Sequence, residues 1–387
     1  MSSLKKVIKG AIVLFQHGIF GTGNGLDYMV NRLSEKVARN YKFEDIIDMD
    51  DYHPTGYDDR YYFSTPQGQL NFNNTMSKLV KIAKDNPSKN ILVRTWLSSH
   101  DLCAPIHDQK KRLVHIVKYL HQNVPDIPII LVGHSQGGIV NAEASLECPT
   151  YINRIISINS PFMANKIGID LLAIVSLLGI KGFTWNGFEY RLDEKRFRAA
   201  LENLTSVEYF SSLEMRWLAT KIKPKAIGIV GLSGVLTGTS FDMDQTFDGL
   251  VCASDFKYLT LDHIEYFYEK KPNCPFDLIE RVFNRDYKNY CSFCDKICVF
   301  PKASFSSTLF DVVKSVVANW FSNGFHVDYE KALSTNEKLK AISAGINDQN
   351  YTGKEQKLYK IYSDKYNHKN IISNEKMISY LAGIIGL

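Results

Sequence analysis

Over the first 160 residues the chain alternates short apolar runs with amphipathic stretches. The runs Ala11–Phe15, Phe43–Met49, Ile91–Trp96, Ile127–Gly133 and Ile152–Ile158 are strand candidates. They are nearly continuous in apolar residues, as strands covered on both faces are. Between them, Leu26–Ala38, Thr75–Lys84 and Ile106–Leu120 carry apolar residues at helical spacing. This order predicts an α/β fold, a mostly parallel sheet flanked by helices. Right-handed crossovers then bring the C-terminal ends of the strands to one edge of the sheet, where ligands bind.

After Pro161 the pattern predicts a longer, helix-rich stretch containing Leu171–Ile180, Phe183, Trp185 and Phe188. A buried core helix explains the apolar segment, and so does a cap over the active edge of the sheet. Sheet pattern resumes at Lys225–Leu232. The final predicted strand is Lys357–Ser363, followed by a closing helix from Asn374 to Ile385. The expected organisation is a single domain with its core at about 8–165, 222–256 and 356–387, a cap at 162–221 and an insertion at 257–355. Internal repeats and low-complexity segments are absent from the sequence.

Composition narrows the classes. With 387 residues, 45% hydrophobic and 22% charged, the chain has the make-up of a globular protein with a sizeable core. A net charge of +5 arises from 46 basic and 41 acidic residues, with no basic cluster interleaved with aromatics, so nucleic-acid binding is not expected. The small basic excess serves solubility, and it would also suit a transient contact with anionic lipid headgroups. Lys5 and Lys6 before Ala11–Phe15 imitate a secretory leader, but the apolar run ends at Gln16 and reads as the first strand. Leu171–Ile180 is about half the ~20 residues of a spanning helix. Seven cysteines, an odd number, suit a reducing compartment, and a cytoplasmic location is expected. Cys291 and Cys294 have the two-residue gap of a zinc-binding pair, with Cys274 and Cys298 nearby. The second pair is irregularly spaced, so ordinary thiols are the expected reading and zinc the alternative.

One segment carries chemistry most directly. The run Ile129–Val132 ends in Gly133-His134-Ser135-Gln136-Gly137-Gly138, and Ile139–Leu146 reads as a helix. A serine at a tight strand-to-helix turn projects its hydroxyl over the sheet edge, and glycines two positions either side let the turn pack. A serine hydroxyl needs a base to act as a nucleophile, and the oxyanion it generates needs donors. The backbone N–H of Gln136 is one expected donor. The second is expected from the loop after the first strand, Gln16-His17-Gly18-Ile19-Phe20-Gly21, through the N–H of Ile19 or, as the alternative, Phe20.

Together, His17-Gly18-Ile19-Phe20-Gly21 and Gly133-His134-Ser135-Gln136-Gly137-Gly138 resemble the paired signatures of lipases and esterases of the α/β-hydrolase superfamily. Ile155-Ile156-Ser157-Ile158-Asn159-Ser160-Pro161 is similar to the strand that follows the nucleophile helix in those enzymes. The resemblance covers roughly residues 10–165. It implies a triad in the chain order serine, acid, histidine. Thr246-Phe247-Asp248-Gly249-Leu250-Val251 looks like the Asp-Gly-x-Val turn of lipases, so Asp248 is the expected acid, with Asp242, Asp244 and Asp255 as competitors. His368, between the last predicted strand and the closing helix, stands where the fold delivers its histidine. His326 is the runner-up, and His263 is only 15 residues beyond the acid. His17 and His134 would support the site.

By this reading His368 takes the Ser135 proton, Asp248 holds the imidazole, and an acyl-enzyme forms and is released by water without any cofactor. The apolar residues after Pro161 point to a lipid or fatty-acyl ester as the substrate. A shorter carboxylic ester remains open. The alternatives are an acyl-protein or acyl-thioester thioesterase, since those enzymes share a Ser-Gln-Gly-Gly motif, and a hydrolase-shaped binding protein without turnover.

Overall fold

The computed structural model describes residues 10–18, 26–47, 64–97, 105–162, 206–221, 224–231 and 370–386, residues 199 and 203, and short strands at 180–185, 188–191, 234–236, 246–247, 263–267, 325–327 and 359–361. In chain order the strands are β1 (Ile12–Gln16), β2 (Asn40–Lys42), β3 (Ile46–Ile47), β4 (Asn90–Trp96), β5 (Ile129–His134), β6 (Arg154–Ile158), β7 (Ile180–Trp185), β8 (Phe188–Arg191), β9 (Lys225–Gly231), β10 (Gly234–Leu236), β11 (Thr246–Phe247), β12 (His263–Phe267), β13 (Phe325–Val327) and β14 (Tyr359–Ile361). The helices are α1 (Asp27–Lys36), α2 (Pro66–Asp85), α3 (Ile106–Asn123), α4 (Gln136–Glu147), α5 (Val207–Ala219) and α6 (Glu375–Ile385).

The main sheet runs in the order β12-β9-β6-β5-β1-β4-β2, with β3 also on β4, and its pairings are all parallel. Because side chains alternate along a strand, its residues divide between two cores. Ile12 and Leu14 of β1 join Ile91, Val93, Ile129, Leu131 and Ile155 under α2, α3, α4 and α5. Val13 and Phe15 join Leu92, Ile130, Val132, Ile156, Ile227 and Ile229 on the opposite face, under α1 and α6. The near-continuous apolar runs of the sequence are therefore strands with no solvated face.

Helix boundaries follow local chemistry. Thr65 caps α2 by accepting from the Gly68 N–H at 3.0 Å, and Pro66 occupies the first helical position, where a missing N–H costs nothing. This cap starts α2 nine residues before the sequence pattern at Thr75. Asn374 caps α6, its side chain accepting from the Lys376 and Met377 N–H groups.

Three expectations need correction. Of the predicted strand Phe43–Met49, only Ile46–Ile47 (β3) is strand among the described residues, and a separate short strand, β2, precedes it at Asn40–Lys42; both pair with β4. The stretch after Pro161 is not uniformly helical, since β7 and β8 form an antiparallel pair there and β13 joins them. The outer strand beyond β9 is β12, from within the predicted insertion, whereas Tyr359–Ile361 of the predicted final strand pairs antiparallel with β10 in a small separate sheet. Both HIEYF and the 357–363 segment mix polar and aromatic residues, so local pattern does not say which of them the sheet recruits.

The small sheet has an informative register. Gly234 of β10 lies opposite Phe247 of β11 on one side and Ile361 of β14 on the other. Its central strand begins three positions after β9 leaves the main sheet. Among the described residues, no helix is long and apolar enough to cross a membrane.

Candidate functional site

Strand β5 and helix α4 meet at Ser135, which has φ 54° and ψ −126°. A non-glycine residue with positive φ is strained, and such strain persists only where the surroundings enforce it. Here they do. The Ser135 N–H donates to the Ile158 carbonyl at 2.9 Å, tying the turn to the end of β6, and the Gly138 N–H donates to the Ser135 carbonyl at 3.1 Å.

Glycines make room for this turn. A Cβ at Gly133 would stand 2.4 Å from the Gly137 and Gly138 backbone, and one at Gly137 would stand 2.5 Å from the Gln16 carbonyl oxygen. At Gly138 it would meet the Ser160 hydroxyl at 2.1 Å. The glycines at 133 and 137 thus record backbone against backbone, and Gly138 records backbone against the Ser160 side chain.

Serine in the N-cap position usually spends its hydroxyl on the first turn of its helix. Ser135 makes no such side-chain cap, which leaves Oγ uncommitted to the helix, and the residue is only 6% exposed. Gln136 is the first residue of α4, and its N–H has no carbonyl partner within that helix. A hydroxyl and a helix-terminal amide therefore lie side by side, an arrangement suited to attack on a carbonyl and to stabilising the negative oxygen that results.

The loop after β1 reaches the same place. A Cβ on Gly18 would come within 2.6 Å of the Ser135 Cβ and 3.1 Å of its Oγ. His17 is buried, its Nδ1 2.8 Å from the Gly18 carbonyl oxygen; burial lowers its pKa, opposed by that hydrogen bond. Ile19 and Phe20 lie outside the described residues, as do Asp248, His368, the competing carboxylates and Cys274, Cys291, Cys294 and Cys298.

Among the alternative histidines, His263 opens β12 opposite Ile227, which is opposite Ile156 and then Val132. It sits three strand spacings from β5, about 14 Å away, and short of the C-terminal edge where Ser135 lies. His326 is in β13, opposite Gly182 of β7. His134 ends β5, half-buried beside the turn.

Sequence reasoning missed several supporting residues. Asn159, at φ 46°, follows β6, donates from its backbone to the Ile229 carbonyl and accepts the Gly231 N–H on its side chain at 2.7 Å, joining the C-terminal ends of β6 and β9. Asparagine tolerates this backbone better than most residues, which is the one local signal. Gln109 of α3 donates from Nε2 to the Gln136 Oε1 at 3.0 Å. Glu143 of α4 accepts from both terminal nitrogens of Arg216 and from the Tyr209 hydroxyl, fastening α5 to α4. These partners are 27 to 73 positions apart, beyond the reach of any spacing rule.

Strand order, parallel sense, helices on both faces and a strained serine turn after the fifth strand together define the α/β-hydrolase fold. No protein-family model and no curated protein matches the chain. Solved structures to which it is similar include the lin2722 product of Listeria innocua, 12% identical over 74% of this chain and 95% of that one, with a TM-score of 0.39. Bacillus licheniformis lipase BlEst2 in mature form is 13% identical over 73% and 95% of the two chains, with a TM-score of 0.36. The peroxisomal alpha-beta-hydrolase Lpx1 of Saccharomyces cerevisiae is 10% identical over 82% and 88%, with a TM-score of 0.38. The fold rests on the topology described above.

Proposed function

We propose that this protein is a serine hydrolase that cleaves carboxylic esters, with lipid or fatty-acyl esters as its substrates and Ser135 as its nucleophile. The observation that carries the reading is the strained turn at Ser135, which presents an uncapped hydroxyl beside the first amide of α4. Attack by Oγ on the substrate carbonyl forms a tetrahedral intermediate whose oxyanion accepts from the N–H of Gln136 and of Ile19, or of Phe20 in its place. The proton passes to His368, held by Asp248, and then to the leaving alcohol; water repeats the sequence to release the acid.

The small sheet supports these partners. Phe247 and Ile361 flank the same Gly234, so the segment that continues into Asp248 and the one that leads to His368 leave one structure, with His368 seven positions beyond Ile361. A greasy substrate would come to the protein with transient contact at a lipid surface, and the chemistry needs no cofactor.

A fluorophosphonate probe tests the nucleophile. The wild type should label, and Ser135→Ala should not; an unlabelled wild type would defeat the enzyme reading and favour a binding protein. Comparing His368→Ala with His326→Ala then assigns the base, which should lose about 10³-fold or more in kcat. A panel of esters and thioesters of increasing acyl length reports the substrate, with thioester preference pointing to the thioesterase alternative.

A further inference from the structure

Gln109 and Gln136 form a buried polar pair where the first turns of α3 and α4 meet. Gln136 is 1% exposed and Gln109 is 2% exposed, and their own helices carry Leu113, Ile116, Ile139 and Val140 into the buried apolar cluster. The first turn of α3 is itself anchored, the Gln109 N–H donating to the Pro105 carbonyl at 3.2 Å. From this base Gln109 Nε2 donates to Gln136 Oε1, while Gln136 Nε2 is buried and has no hydrogen-bond partner among the described residues.

Stability alone accounts poorly for such a pair. Two apolar side chains of similar shape can replace a buried hydrogen-bonded pair at little cost, whereas this one leaves a donor unsatisfied. What the pair does is restrain, from one side, the residue whose backbone N–H opens α4 beside Ser135. We infer that Gln109 is a positioning residue: through its hydrogen bond to the Gln136 carboxamide it holds the Gln136 N–H in line with the oxyanion. The inference rests on the reading of Ser135 as nucleophile. The hydrogen bond and the catalytic amide belong to one residue, so a freed carboxamide that seeks new partners also shifts the peptide at the start of the helix. Because the N–H matters most when the negative oxygen forms, the loss belongs to the transition state rather than to substrate binding.

The test uses the full-length protein, a chromogenic ester and an alkylboronic acid, which forms a tetrahedral adduct on a reactive serine. Loss of an oxyanion donor costs about 10²–10³ in kcat, so a displaced donor should cost on the order of tenfold. Gln109→Met, which keeps the side-chain volume, should therefore lower kcat about tenfold with KM within about twofold, and weaken boronic acid binding by a similar factor. Gln109→Glu, which offers an acceptor to Gln136 Nε2, should recover part of that loss. In the double variant Gln109→Met/Gln136→Met the effects should be far from additive. Should Gln109→Met fail to fold, Gln109→Asn, too short to reach Gln136, must show the same loss confined to kcat. An unchanged kcat, a loss seen in KM alone, or a Glu variant as slow as Met overturns the inference while leaving Ser135 as the nucleophile. A wild type that binds neither phosphonate nor boronic acid removes the function itself.

Discussion

Gly18 and Ser135 approach so closely that a Cβ at position 18 would stand 2.6 Å from the Ser135 Cβ. The atoms that would collide belong to backbone-proximal groups, so neither side can yield by rotating a flexible tail. The loop after β1 and the serine turn are thereby fitted to one another across 117 positions of sequence. Gly18→Ala should keep the protein folded and displace the loop, lowering kcat for ester hydrolysis by about 10- to 100-fold. Steady-state kinetics beside a melting curve separate the two effects, and wild-type turnover in this variant would contradict the fit.

Strain at Ser135 predicts an inverse relation between stability and turnover. With φ at 54°, a side chain here carries a cost of about 1–3 kcal/mol that glycine does not share. Ser135→Gly should therefore abolish turnover while raising the melting temperature by a few degrees. A lower melting temperature than that of the wild type would show that the turn is not strained.

The clamp between α4 and α5 gives a pH-dependent contribution. Burial pushes the Glu143 carboxyl up, but the Arg216 and Tyr209 hydrogen bonds outweigh it and hold the group below the ordinary carboxylate range. Since the folded state releases this proton more readily than the unfolded one, the stabilisation is complete above the unfolded value of about 4.3 and is lost as pH falls through the folded value. Glu143→Gln should cost about 2 kcal/mol at pH 7, and the difference from wild type should shrink as pH falls below about 4. Urea denaturation at several pH values reads this directly, and a difference that stays constant would remove Glu143 from the account.

At His17 the sign is set by burial of a base. Its pKa lies below the ordinary imidazole value because burial disfavours the charged ring. The unfolded chain takes up the proton first, so His17 contributes full stability above about pH 6.5, and that contribution falls as pH drops toward the folded value. Melting temperatures between pH 7.5 and 5 should fall less steeply in His17→Gln than in the wild type. Parallel slopes would mean that another group carries the acid sensitivity.

The sequence alone determined the sheet-and-helix alternation, the parallel sense, the serine turn and the glycines around it. These are legible because each depends on neighbours within a few residues: two-sided burial produces continuous apolar runs, and a strained turn demands small residues at fixed offsets. Tertiary structure decided which strand closes the sheet beside β9, that β11 and β14 share β10, and that Gln109 meets Gln136 and Arg216 meets Glu143. Pairing between distant segments depends on backbone register and on shape in three dimensions, so HIEYF and the 357–363 segment look alike until the chain has chosen its partners.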